Sequence, residues 1–143
     1  MTMSDPTAAE HFSWPVRVYW EDTDGGGVVY HAAYLCFCER ARTEWLRARG
    51  IEQERLRAVS DVVFVVCDVN LKFRKPARLD DLLDISVEVL ERRSASMTFQ
   101  QRLVRRSDGA LLVEARLRVA CLHASSFRPR PIPDDLLQEI PKA

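Results

Sequence analysis

The 143-residue sequence carries no net formal charge, its 21 basic residues balanced by 21 acidic ones. A neutral chain lacks the broad attraction on which nonspecific nucleic-acid binding draws, so any anion site must be local. No apolar run approaches the roughly 18 residues of a membrane helix. Residues 1–13 carry Asp5 and Glu10 where a secretory leader would have positive charge and an apolar stretch. A cytoplasmic location is expected, without a membrane span or nucleic-acid partner. Cysteine is sparse: Cys36, Cys38, Cys67 and Cys121 all fall in apolar periodic segments. Cys36 and Cys38 point to different sides of a helix, so buried free thiols are expected, and no metal site. Glycine is scarcer than average, yet three of the five glycines are consecutive, at residues 25–27. Neither a repeat nor a long linker divides the chain. One domain over residues 14–140 is expected, behind a flexible N-terminus of residues 1–13.

What is present is one long helical pattern. Tyr34, Cys38, Ala41, Trp45 and Ala48 recur at steps of four and three, while Glu39, Arg40, Thr43, Glu44 and Arg47 take the opposite side. Leu35 and Leu46 widen the apolar stripe, and Gly50 stands where a helix-ending glycine belongs. A helix over residues 32–49 follows, about 27 Å long at a rise of about 1.5 Å per residue. A short helical piece is expected over residues 51–59 and a closing one over residues 134–140.

Period-two alternation marks five strands, over residues 14–20, 62–73, 83–91, 97–104 and 111–122. Ile85, Val87 and Val89 oppose Asp84, Ser86 and Glu88; Met97, Phe99 and Leu103 oppose Thr98, Gln100 and Arg102. Ser107-Asp108-Gly109 signals a hairpin, and Pro76 closes the second strand. The order strand, long helix, four strands predicts an α+β hot-dog fold, a five-stranded antiparallel sheet wrapped around one central helix. Open sheet edges predict that subunits pair.

Residues 14–31, from Trp14-Pro15-Val16 through Glu21-Asp22-Thr23-Asp24-Gly25-Gly26-Gly27-Val28-Val29-Tyr30-His31, and then Glu39-Arg40-Ala41-Arg42-Thr43-Glu44, closely resemble the Tol-Pal-associated acyl-CoA thioesterases. These are hot-dog enzymes of the 4-hydroxybenzoyl-CoA thioesterase type. The likeness continues through Arg74-Lys75-Pro76 and Arg128-Pro129-Arg130-Pro131-Ile132-Pro133, covering about residues 12–140. It implies a catalytic carboxylate at Asp24 and an oxyanion contact from a backbone amide at or near His31. It implies homodimers or homotetramers with the active site between subunits, and a coenzyme A nucleotide held by surface basic residues near the bend at residues 92–96. Ala33 and Cys38 depart from the family, which commonly has Asn or Ser at the first position and Tyr at the second.

The chemistry suits those residue types. Thioester hydrolysis needs a nucleophile or base at the carbonyl carbon and positive potential at the oxygen that becomes negative. Asp24 supplies the first and helix-terminal amides the second. Gly27, Val28 and Tyr30 are expected along the substrate, since glycines let backbone approach it closely. Lys72, Arg74, Lys75, Arg92 and Arg93, with Ser94 and Ser96, are candidates for the coenzyme A phosphates.

Each has a structural alternative. For Asp24 it is a turn cap before glycine; Asp22, which could raise the pKa of Asp24 by like-charge repulsion, reads as a solvated turn residue; for the His31 imidazole and Glu39 it is a structural role, and for the basic residues a solvated surface charge.

The leading function is an acyl-CoA thioester hydrolase, with acyl-CoA as substrate and no cofactor. Alternatives are a hot-dog dehydratase or hydratase and a non-catalytic protein that binds acyl carrier protein or joins an envelope complex. The triple glycine is not a phosphate loop, because no Lys-Ser/Thr follows it.

Overall fold

The computed structural model describes residues 11–141. Strand β1 (Phe12–Arg17) leads through a 3-10 turn (Trp20–Asp22) and a glycine loop into α1 (Ala33–Ala48). Helix α2 (Gln53–Ser60) follows, then β2 (Val62–Phe73), β3 (Leu82–Arg92), β4 (Ser96–Arg105), β5 (Leu111–His123) and α3 (Asp134–Glu139). The strands form one antiparallel sheet in the order β1-β3-β4-β5-β2. This is the α+β architecture expected, with β1 and β2 on the edges.

Alternation decides which face is buried. Ile85, Val87 and Val89, then Met97, Phe99 and Leu103, then Val113, Ala115, Leu117, Val119 and Cys121 all turn inward. Helix α1 lays Tyr34, Phe37, Cys38, Ala41, Trp45 and Leu46 against them, and Trp45 meets Phe99 edge-on at 5.4 Å between ring centres. The Arg49 guanidinium stacks on Trp45, its carbon 4.5 Å from the ring centre. The helix ends at Gly50, whose φ of 79° lets the Ile51 amide turn back to the Leu46 carbonyl.

Several expectations need correction. The first strand starts at Phe12 and stops at Arg17, because the chain turns at residues 20–22 and leaves Trp20 exposed. Residues 1–10 of the expected flexible N-terminus lie outside the described residues. Ala48 is exposed and Phe37 takes its place in the stripe. Cys36 and Cys67 are exposed thiols, not buried ones; Cys36 faces away from the sheet, and Cys67 sits at a bulge in β2. Among the described residues no helix is long and apolar enough to cross a membrane, and no cluster of residues could hold a metal ion.

Candidate active site

The glycine loop is a small hairpin laid at the start of α1. Thr23 pairs with Val29, and the Asp24 amide donates to the Val28 carbonyl at 3.1 Å. Gly25 and Gly27 have φ of 89° and 82°, the left-handed region in which a side chain is strained. Asp24 Oδ1 accepts the Gly26 amide at 2.9 Å, and a Cβ on Gly26 would stand 3.2 Å from that same oxygen. The aspartate thus does cap its turn. Its Oδ2 accepts no hydrogen bond among the described residues, and the side chain is exposed.

Asp22 is not the solvated residue expected. It is 8% exposed, and its Oδ2 accepts the Tyr19 amide at 2.8 Å, closing the 3-10 turn. Its carbonyl accepts the Tyr30 amide, also at 2.8 Å. Burial of Asp22 therefore fixes the base of the loop that displays Asp24 directly before the helix.

Helix α1 opens without a side-chain cap, its N-cap position being Ala32. Ser, Thr, Asp or Asn there would satisfy one of the orphan amides. The His31 and Ala32 amides have no acceptor among the described residues. The His31 ring lies against Tyr30 at 4.4 Å between centres, and no hydrogen bond or ion pair joins it to Asp24 among the described residues.

A second segment meets the helix start. The buried Tyr34 hydroxyl accepts the Ala77 amide at 3.0 Å, and the Ala77 carbonyl accepts the Val29 amide at 2.9 Å. Burial pushes the Tyr34 pKa up, so the phenol stays neutral. A cleft of about 260 Å³ results, lined by Val29, His31, Tyr34, Phe73, Arg74, Lys75 and Pro76. Phe73 was not among the expected site residues, whereas Arg74 and Lys75 were expected at the coenzyme A phosphates and stand here beside the helix start. At the end of β2 Arg74 pairs with Glu114 at 2.6 Å, and Lys75 has no ion pair among the described residues.

The remaining candidates are spread out. Gly27 is exposed in the loop, Val28 bridges to Arg78, and Tyr30 is 48% exposed. Lys72 stands on the open sheet face beside Gln100 and Glu114. Arg92, Arg93, Ser94 and Ser96 occupy the β3–β4 turn, at the far end of β3 from Arg78. The eleven residues of β3 span about 33 Å, so that turn and Arg78, to which Val28 bridges, lie off opposite ends of the strand. Arg92 Nη1 donates to the Leu137 and Ile140 carbonyls at 2.9 and 2.7 Å, clamping α3, and Arg93 pairs with Glu91.

Comparison with known proteins gives this arrangement a family. Residues 18–140 match the model of the thioesterase-like superfamily. The acyl-CoA thioester hydrolase YbgC of Escherichia coli O157:H7 is 47% identical over 90% of this chain and 94% of its own. The acyl-CoA thioesterase YbgC of Haemophilus influenzae is 45% identical over 87% and 90%. The chain belongs to the YbgC family of thioesterases. Its fold is that of a 1,4-dihydroxy-2-naphthoyl-CoA thioesterase from Synechocystis, with a TM-score of 0.84 over 91% of this chain and 95% of that one, at 23% identity. The hot-dog assignment made from strand and helix order holds for this YbgC-family protein.

Proposed function

We propose that the protein hydrolyses the thioester of an acyl-CoA to a carboxylic acid and free coenzyme A. The observation that carries this is the juxtaposition of two features: an aspartate held where a tethered hairpin enters its glycine turn, and amides at the helix start left without acceptors among the described residues. The thioester oxygen accepts from an amide at or near His31, which draws electrons from the carbonyl carbon and stabilises the oxyanion. Asp24 then acts in one of two ways. It attacks that carbon, expelling the coenzyme A thiolate and leaving a mixed anhydride that water cleaves, or it takes a proton from the water that attacks. Gly27, Val28 and Tyr30 line the approach, and His31 contributes its backbone in either case.

We further place the complete site between two copies of the chain. In β2 the apolar run from Val62 to Val66 lies on an edge, and only Val62 is buried within one chain. A second copy covering that edge would complete the strand pairing and bring its own basic residues near the first copy's site. Lys72, Arg93, Ser94 and Ser96 would then meet the coenzyme A phosphates, with Arg92 fixing the turn that presents them. Four unpaired thiols suit the reducing cytoplasm. Acyl carrier protein is a second possible acyl donor, and a place beside the Tol-Pal envelope system follows only from the family likeness.

The deciding experiment measures free thiol release from acetyl-, malonyl-, benzoyl-, hexanoyl- and palmitoyl-CoA by the protein and by Asp24→Asn. Turnover of at least one thioester, reduced by about three orders of magnitude in a folded Asp24→Asn protein, is expected. Undiminished turnover in that variant would remove Asp24 from the mechanism.

A further inference from the structure

Away from Asp24, a cavity of about 300 Å³ lies between α1 and β2, lined by Leu46, Phe64, Val66, Phe99 and Val119 together with Glu39 and Arg42. Its apolar walls would suit an aliphatic group, but its Arg42 would not. The Arg42 side chain is 10% exposed, and its Nη1 donates to Gln101 Oε1 at 2.9 Å. Gln101, fully buried, is fixed in turn by donating Nε2 to the Cys38 carbonyl at 3.0 Å. Arg42 Nε and Nη2 donate to nothing among the described residues, yet neither is sealed from solvent. Burial pushes the Arg42 pKa down from the ordinary guanidinium range, the mark of a cation short of solvation.

Glu39 stands at the rim, its side chain 75% exposed and Oε1 4.0 Å from Arg42 Nη2. That separation is too long for a hydrogen bond and wide enough for one oxygen atom to bridge. We infer that the cavity seats the far end of the acyl group and selects one bearing a hydroxyl, which accepts from Arg42 and donates to Glu39. A carboxylate there would face Glu39, an ammonium would face Arg42, and a bare methyl would strip water from guanidinium donors without replacing it. Of these four groups the hydroxyl satisfies both neighbours. This rests on the thioesterase proposal and adds the substrate class.

The thioester can reach the cavity from two sides. Arg42 lies nine residues beyond Ala33, about 14 Å along the helix axis, a span for a medium-length acyl chain within one copy. If the thioester is held by the start of α1 in a second copy, a shorter chain suffices. Two matched pairs separate these routes: decanoyl-CoA against 10-hydroxydecanoyl-CoA, and hexanoyl-CoA against 6-hydroxyhexanoyl-CoA.

The expected result is a preference of about tenfold or more in kcat/KM for the hydroxylated member of one pair. Glu39→Ala, which alters only an exposed side chain, should reduce that preference toward unity. The double variant Arg42→Met, Gln101→Leu removes both hydrogen-bond partners together and should abolish it while improving turnover of the plain member. Hydrolysis of the plain thioesters with no preference in either pair overturns the inference and leaves the thioesterase proposal standing. Hydrolysis of no thioester at all overturns both.

Discussion

The carbonyl of Asp22 accepts the amide of Tyr30 at 2.8 Å, joining the turn after β1 to the threshold of α1 across the whole glycine loop. The same aspartate closes that turn through its carboxylate, so one buried residue governs where Asp24 is displayed. Asp22→Ala should cost about 1 kcal/mol of stability, the usual loss for a capping oxygen, and lower kcat by loosening the loop. Asp22→Asn keeps an acceptor and should lose less of both. Chemical denaturation and turnover of the same preparations check this.

Gly26→Ala places a Cβ against Asp24 Oδ1 without forcing an unusual backbone angle, since only Gly25 and Gly27 have positive φ in the loop. The carboxylate must rotate or retreat by a few tenths of an ångström. We expect kcat/KM to fall by about tenfold or more with the melting temperature nearly unchanged, because misplacement of a reacting group costs rate steeply. An unchanged kcat/KM would mean that the Asp24 position is not critical.

Tyr34→Phe removes the acceptor for the Ala77 amide, and Ala77 is fully buried. An unsatisfied buried donor should cost about 1–3 kcal/mol. The cleft beside His31 loses its back wall hydrogen bond at the same time, so KM should rise with the destabilisation. Urea titration compared with KM for the best substrate tests the pairing.

Thiol chemistry should divide the cysteines. Cys36 and Cys67 are exposed and should react with a disulfide reagent under native conditions, whereas Cys38 and Cys121 should wait for unfolding. Burial pushes the Cys38 thiol from 9.0 up to about 12, with the nearby Arg42 charge only partly opposing this. A folded pKa above the unfolded one gives stability that is present below the unfolded value and lost as pH rises through the folded value. Stability should therefore decline between pH 9.0 and about 12, a slope that Cys38→Ala would reduce. A pH-independent stability over that window would contradict it.

The sequence by itself determined the architecture, because periodicity is a local consequence of which residues must leave water. Strand β2 falls on Val62–Phe73 as the alternation required, and the Ile85, Val87 and Val89 face points into the core. The glycine loop running into the helix start was legible too, since the two are neighbours in the chain. What only the tertiary structure decided is what depends on neighbours distant in sequence. Asp22 looked solvated and is buried because the chain folds back over it; Cys36 and Cys67 looked buried and face outward. The pairing of Arg42 with Gln101 spans 59 residues, and no pattern within either segment encodes it. Likewise Phe73 and Lys75 reach the helix start only because β2 runs back toward it. Side-chain periodicity reports which face is apolar, whereas the partner of a polar group is set by sheet order and register.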